Sequence, residues 1–288
     1  MQVQDNRLSS FKSFFEKYLK GTEYASSELR PLFRRLSEDL LGLEPSQILL
    51  ADDTLLTESQ ILKLLSATKE LKKGRPIQYI IGHTEFSELK IKCDQRALIP
   101  RPETEELVRW ITESHRSISS AIDIGTGTAC IALALKNHFT SAQIAAMDSE
   151  SDALELAEEN SRLLDLEIEL VLDDITEPRH EYGQYQIIVS NPPYVRASES
   201  NDMRANVLDH EPHSALFVED EVPLQFYRAI LEFASDHLRP SGWTYFEINE
   251  NLGKEMADLL AQFGYSEIEL RKDLYGKDRM IRGTLLKR

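Results

Sequence analysis

Two rhythms of apolar residues divide the chain. Up to about residue 73 the spacing is helical. Leu29, Leu32, Phe33, Leu36 and Leu40 fall on one face, and Thr57-x-x-Gln60 forms a capping-box pattern ahead of Ile61, Leu62, Leu64 and Leu65. Gly42 and Pro45 punctuate, and Gly74-Arg75-Pro76 closes the stretch. A small α-helical bundle is predicted for residues 1–76. Gln78-Tyr79-Ile80-Ile81-Gly82 then leads into Phe86, and Leu89, Ile91 and Cys93 alternate with Lys90 and Lys92. That period of two predicts a half-buried β-hairpin linker over residues 77–100, bridging two domains. Beyond it, short apolar runs alternate with longer amphipathic ones. Strands are expected at 120–124, 143–148, 167–172, 185–189, 243–248, 265–270 and 280–286. Helices are expected from Pro102, at 130–135, 151–164, 223–238 and 253–263. The alternation, with a closing antiparallel pair, predicts an α/β domain over residues 101–288 built on a seven-stranded, Rossmann-like sheet.

Composition narrows the possibilities. Of 288 residues, 41% are hydrophobic and 28% charged, as in ordinary soluble domains. No apolar run is long enough to span a bilayer, and residues 1–5 carry no signal-peptide pattern, so no membrane association and a cytoplasmic location are expected. Cys93 and Cys130 fit neither a disulfide framework nor a zinc site and are read as free thiols. The net charge of −16 is unevenly spread: 12 Lys/Arg face 11 Asp/Glu up to Pro76, but 21 face 38 from Ile77 onward. Phosphate backbones attract basic surfaces, so the acidic C-terminal part argues against direct nucleic-acid binding. It fits a protein partner better, a basic one included.

Candidate chemistry gathers where strands stop. Tyr185-Gln186-Ile187-Ile188-Val189 runs into Ser190-Asn191-Pro192-Pro193-Tyr194. The prolines remove donors and fix φ, so the chain leaves the strand as a stiff, extended turn. An Asn side-chain oxygen and a neighbouring carbonyl, such as that of Pro192, can each accept one N–H of a planar NH₂ group and aim its nitrogen. Tyr194 offers a flat face to such a group. The plainer alternative is a strand-ending turn, since Asn-Pro commonly starts one. Upstream, Asp123-Ile124-Gly125-Thr126-Gly127-Thr128 is a strand entering a glycine turn ahead of a helix, a place where backbone approaches a ligand closely. A dinucleotide fingerprint needs a third glycine where Cys130 stands, which weighs against a dehydrogenase. Asp148 ends the next strand about 20 residues on, the spacing at which an acid meets ribose hydroxyls; capping the following helix is its alternative role, for which Ser149 and Ser151 compete. In Ile99-Pro100-Arg101-Pro102-Glu103-Thr104-Glu105-Glu106, the charged groups and Thr104 either make a well-capped helix start or line a cleft. His210-Glu211-Pro212-His213 brings metal ligands to mind, but Pro212 prevents one helical face from presenting them, and no metal is expected.

The Asn-Pro-Pro-Tyr turn resembles the catalytic motif of S-adenosylmethionine-dependent methyltransferases acting on planar NH₂ nitrogens, either of DNA bases or of protein glutamine. Gly74-x-Pro76-x-Gln78-Tyr79-Ile80-x-Gly82 and Ile99-Pro100-Arg101-Pro102-Glu103-Thr104-Glu105 are similar to the linker of the HemK/PrmC family, the glutamine-modifying branch. Glu211 to Leu216 and Lys272 to Arg279 resemble its later signatures, so the likeness runs along nearly the whole chain. It implies methyl transfer from S-adenosyl-L-methionine, leaving S-adenosyl-L-homocysteine, to the N5 amide of a glutamine. The implied partner is the Gly-Gly-Gln loop of class-1 peptide-chain release factors; ribosomal-protein glutamine and, further off, DNA amino groups are the alternatives. By the same resemblance, Gly125, Thr126, Gly127, Thr128 and Ala129 hold the cofactor's amino-acid end, Asp148 its ribose, and Asp174 and Ile175 its adenine. Asn191, Pro192, Pro193 and Tyr194 meet the glutamine. Three departures stand out. Phe86-Ser87-Glu88-Leu89 lacks the family's hairpin glycine, Ala129 replaces a frequent glycine, a small departure if φ is negative there, and Val218-Glu219-Asp220-Glu221-Val222 replaces a glycine-rich loop.

Overall fold

A computed structural model describes residues 5–51 and 54–285. Residues 1–4, where a signal pattern was sought, and Leu286, the expected last strand residue, lie outside the described residues. The chain divides into two compact units. One comprises residues 1–82 with 204–210, the other residues 83–203 with 211–288.

The first unit is helical: α1 (Leu8–Tyr18), α2 (Ser26–Leu41), α3 (Pro45–Leu49), α4 (Glu58–Lys72) and α5 (Ile77–Ile81). Helical spacing brings Phe11, Phe15, Phe33, Leu36, Leu64 and Leu71 into one core. The capping box forms as the sequence suggests: the Gln60 N–H donates to Thr57 Oγ1 and the Thr57 N–H to Gln60 Oε1. Gly42 ends α2 in the left-handed conformation. The stretch read as an approach to the hairpin is instead α5, stopped by left-handed Gly82, because the adjacent pair Ile80 and Ile81 suits a helical turn better than a pleat. A later segment, α9 (Ala205–His210), belongs to this unit: Arg204 pairs with Glu28 at 3.1 Å, and a His210 ring nitrogen lies 3.3 Å from the Lys73 carbonyl.

The second unit opens with a hairpin, β1 (His83–Phe86) and β2 (Leu89–Lys92). Its turn uses Ser87 (φ 48°) and Glu88 (φ 66°), both left-handed without a glycine. Then follow α6 (Pro102–Ser114), β3 (Ser120–Ile124), α7 (Cys130–His138), β4 (Gln143–Asp148), α8 (Ser151–Leu164), β5 (Glu169–Leu172), β6 (Tyr185–Ser190), the short β7 (Val195–Arg196) and β8 (Phe217–Val218), α10 (Gln225–His237), β9 (Leu238–Glu247), α11 (Gly253–Gln262), β10 (Tyr265–Lys272) and β11 (Asp278–Leu285). The seven-stranded sheet has the order β10-β11-β9-β6-β3-β4-β5. β5, β4, β3, β6 and β9 run parallel, whereas β11 is antiparallel to β9 and to β10.

The central strands are largely apolar because both faces are covered. Ala121, Ile144, Ala146, Ile187 and Val189 enter a core with α6, α7 and α8. Their neighbours Ile122, Ile124, Ala145, Met147 and Ile188 enter a second core with α10 and α11. β9 begins earlier than its apolar run. Residues 239–242 form a bulge in which Ser241 takes φ 62° and Pro240 has no N–H to give, and pairing resumes at Trp243 opposite Ile187. Residues 195–222, read from sequence as a polar loop, contain the parallel pair of β7 and β8. Among the described residues no helix is long and apolar enough to cross a membrane.

Candidate active site

Strand order reverses between β3 and β6, both hydrogen-bonded neighbours in the sheet, and crevices for ligands open at such switch points beyond the strands' carboxyl ends. Here a cavity of about 420 Å³ is lined by residues from the ends of β3, β4, β5 and β6 and by the segments before α6 and α10. The register aligns these ends. Ile124 pairs with Met147 on one side and Ser190 on the other, and Asp148 pairs with Leu172. Gly125 to Thr128, Asp148, Asp174, Ile175, Asn191, Pro192 and Pro193 therefore open onto one space. Thr104 and Arg101 line it too, which decides the question about the start of α6 for those two side chains.

The glycine turn is held from below. The Gly125 and Thr126 N–H groups both donate to the Met147 carbonyl, at 2.9 and 3.0 Å. Gly125 (φ 71°) and Gly127 (φ 55°) supply the left-handed turns that this requires. Ala129 does not meet the condition that would make it an easy replacement for glycine. It sits at φ 61°, not negative φ, is fully buried, and is absent from the cavity lining; its N–H donates to the Thr126 carbonyl. It serves as the left-handed entry to α7. Asp123, beneath the turn, is fully buried; its Oδ2 accepts the Thr126 hydroxyl at 2.5 Å, and burial pushes its carboxyl up to about 7.

Asp148 braces the glycine turn and the chain just before α8. Oδ2 accepts the Gly127 N–H (2.8 Å) and Oδ1 the Glu150 N–H (3.0 Å) at the entry to α8, while the residue still borders the cavity. Burial raises its carboxyl above the usual range. The two acids after β5 divide the work. Asp173 gathers the N–H groups of Asp174, Arg179 and His180 and the Tyr182 hydroxyl, holding the loop. Asp174 caps its own turn through the Thr176 N–H and hydroxyl, beside Ile175.

At the end of β6, Ser190 pairs with Phe246, so Asn191 emerges level with Glu247 at the end of β9. Ser190 Oγ donates to the Ile124 carbonyl at 2.6 Å, tying the turn to β3. Asn191 Nδ2 donates to Thr104 Oγ1 at 3.2 Å, and the Thr104 hydroxyl donates to Glu247 Oε2 at 2.7 Å. Tyr194 does not line the cavity. Its half-buried ring packs against the second core and its hydroxyl donates to Glu247 Oε1 at 2.9 Å. Burial raises the Glu247 carboxyl, and burial together with the adjacent Glu247 charge raises the Tyr194 phenol. Sequence reasoning passed over Glu247. Its only signal was an acid at the end of an apolar strand, Trp243-Thr244-Tyr245-Phe246-Glu247. Glu211, met in the sequence as a possible metal ligand and as the start of a family signature, has a carboxylate that accepts the Ile99 N–H (3.1 Å) and Arg101 Nη2 (2.6 Å) and is committed to these partners.

Known proteins resemble this chain in sequence and in fold. The family model "Methyltransferase small domain" matches residues 103–218, and "PrmC N-terminal domain" matches residues 13–82. The crystal structure of a methyltransferase from Pyrococcus furiosus superposes with a TM-score of 0.52 at 20% identity, covering 80% of this chain and 100% of that one. The fold is that of the S-adenosylmethionine-dependent methyltransferases. Among curated relatives, the release factor glutamine methyltransferase of Flavobacterium psychrophilum is 40% identical over 264 residues, 90% of this chain and 93% of that protein. The protein of the same name from Streptococcus pneumoniae is 37% identical over 274 residues, 94% and 95% of the two chains. The chain belongs to the release factor glutamine methyltransferase family.

Proposed function

We propose that the protein transfers a methyl group from S-adenosylmethionine to the side-chain nitrogen of the glutamine in the Gly-Gly-Gln loop of class-1 release factors, in the cytoplasm where these factors work. The observation that carries the reading is the Asn191 amide, pinned by its NH₂ end to Thr104 and bordering the same cavity as Gly125 to Thr128 and Asp148. The names and extent of the curated relatives support the choice of substrate.

The cavity suits the cofactor. Its volume lies within the roughly 300–1,000 Å³ usual for small-molecule pockets, and its lining combines a glycine turn, a strand-end acid and apolar side chains. When bound, S-adenosylmethionine supplies a sulfonium-activated methyl and departs as S-adenosylhomocysteine. Gly125 to Thr128 receive its amino-acid end, with Ala129 shaping that turn from beneath. Asp148 receives the ribose: each of its oxygens has a second lone pair beyond the backbone bond it already holds. Asp174 and Ile175 flank the adenine.

Asn191 Oδ1 and the Pro192 carbonyl accept the two N–H bonds of the substrate carboxamide, with Pro193 and Tyr194 completing the turn. Such bonds draw electron density onto a nitrogen whose lone pair is otherwise delocalised and point it along one line of attack. Held so by Asn191 and Pro192, the nitrogen would meet the sulfonium methyl in line, its N–C bond forming as the S–C bond breaks and one N–H proton passing to water. Positioning and placed dipoles supply the acceleration, and no nucleophilic side chain is required.

The test is tritium transfer from labelled S-adenosylmethionine to a purified release factor, repeated with the loop glutamine changed to alanine. Label is expected in the first only. Asn191→Ala is expected to abolish turnover while cofactor binding persists at reduced strength. Near-normal turnover in that variant removes the mechanism, and label appearing instead in ribosomal protein or DNA removes the substrate.

A further inference from the structure

We propose that Thr104 and Glu247 are positioning residues that dictate which end of the Asn191 amide faces the substrate. The inference rests on the glutamine-methylation reading above and deepens it. An Asn side chain is nearly symmetric in shape but not in chemistry: one end accepts hydrogen bonds, the other donates them. Only the accepting end can hold a substrate NH₂. Something must therefore settle the choice, and the residues behind Asn191 do so by counting protons.

Glu247 is almost wholly buried, at 1% exposure, and Thr104 at 3%. Both carboxyl oxygens of Glu247 accept here, one from the Thr104 hydroxyl and the other from the Tyr194 hydroxyl. Thr104 has a single hydroxyl proton, and it is spent on Glu247 Oε2 at 2.7 Å. The Thr104 oxygen can then only accept, so the group facing it from Asn191 must be the NH₂, at 3.2 Å. With that end held, Oδ1 is left as the end available to the cavity. The reversed amide would set two oxygens face to face with no proton between them. It would also turn NH₂ toward an incoming NH₂. The second carboxylate oxygen takes the Tyr194 hydroxyl at 2.9 Å. One carboxylate thus fastens both ends of Asn191-Pro192-Pro193-Tyr194. Its backbone carbonyl is fixed in turn by the Tyr227 hydroxyl at 3.0 Å.

Three variants test this. Thr104→Val keeps the shape and removes the hydroxyl. Thr104→Ser keeps the hydroxyl. Glu247→Gln keeps the shape but supplies one accepting end where two are needed. Turnover, KM for the release factor and cofactor affinity are measured for each. Thr104→Val and Glu247→Gln are expected to lose about 10- to 100-fold in kcat, with cofactor affinity and thermal midpoint near those of the parent, and Thr104→Ser to recover to within about threefold. A folded Thr104→Val enzyme with parental kcat overturns the proposal, and so does a loss in Thr104→Ser as large as in Thr104→Val.

A readout without turnover separates this inference from the substrate assignment. In ¹⁵N-labelled protein the Asn191 side-chain NH₂ signals, identified by their disappearance in Asn191→Ala, are expected to be slow to exchange in the parent and in Thr104→Ser. In Thr104→Val they are expected to exchange at least tenfold faster. If the parent methylates no release factor yet these signals behave as described, the substrate reading falls and the orientation stands. If methylation proceeds while the signals are equally labile in all variants, the orientation falls alone.

Discussion

Breaking the ion pair between Arg101 and Glu211 is expected to damage the protein more from the arginine side than from the acid side. The pair joins the segment before α6 to a residue 110 positions later, and both segments contribute to the cavity wall. The two side chains are unequally placed: the Glu211 carboxylate is 1% exposed, the Arg101 side chain 31%. Arg101→Ala leaves a buried carboxylate with one amide donor, that of Ile99, and stranding a buried charge typically costs about 3–5 kcal/mol. Glu211→Gln keeps an accepting oxygen, removes the buried charge and leaves a guanidinium that water already reaches, so a loss of about 1–2 kcal/mol is expected. The gap of about 2 kcal/mol corresponds to several degrees in thermal midpoint at this unit's size. Both tryptophans of the chain, Trp110 and Trp243, lie in the sheet unit, so their fluorescence during urea unfolding follows that unit and not the helical one. The double variant is expected to be no worse than Arg101→Ala alone, because the stranded charge is gone. Equal losses in the two single variants, or a larger one in Glu211→Gln, would refute the reasoning.

Other expectations are equally direct. Asp123, whose carboxyl burial pushes from 3.8 to about 7, binds its proton more tightly when folded. Its stabilising contribution is complete at pH below about 4 and is lost as pH rises through about 7. Denaturation of the parent and of Asp123→Asn at pH 5 and pH 8 is expected to show a smaller fall in the variant; parallel falls would contradict it. Glu88→Gly, at φ 66° in an exposed hairpin turn, is expected to stabilise by about 1 kcal/mol, read as a higher thermal midpoint with turnover unchanged. At Gly242 an added Cβ would meet the Arg239 and Gln186 carbonyl oxygens at 2.9 Å each, so Gly242→Ala is expected to cost at least about 2 kcal/mol of stability by the same fluorescence measurement.

What was legible in the sequence followed from local pattern. The central strands are mostly apolar, Gly125 and Asn-Pro mark where β3 and β6 stop, β4 and α8 appear at their expected bounds, and the sheet has its expected seven strands. Features made by distant partners were not legible. Glu247 meets Thr104 across 143 positions, and Glu211 meets Arg101 across 110; nothing beside either acid in sequence announces its partner. Asp173 and Asp174 both border the cavity, and only the folded loop reveals that Asp173 is the one gathering the N–H groups of Arg179 and His180. The left-handed Ala129 was hidden because alanine rarely takes that conformation; the N–H bond to Thr126 and the start of α7 hold it there.

The helical unit contains residues 204–210 although they are threaded between β7 and β8 of the other unit. The polypeptide therefore passes from one unit to the other three times, and no single scission yields two self-contained fragments. A truncated gene starting at residue 83 would carry Arg204 and His210 without their partners Glu28 and Lys73. Separate production of the two halves is better attempted by excising that helix and rejoining its flanks than by cutting once after Gly82.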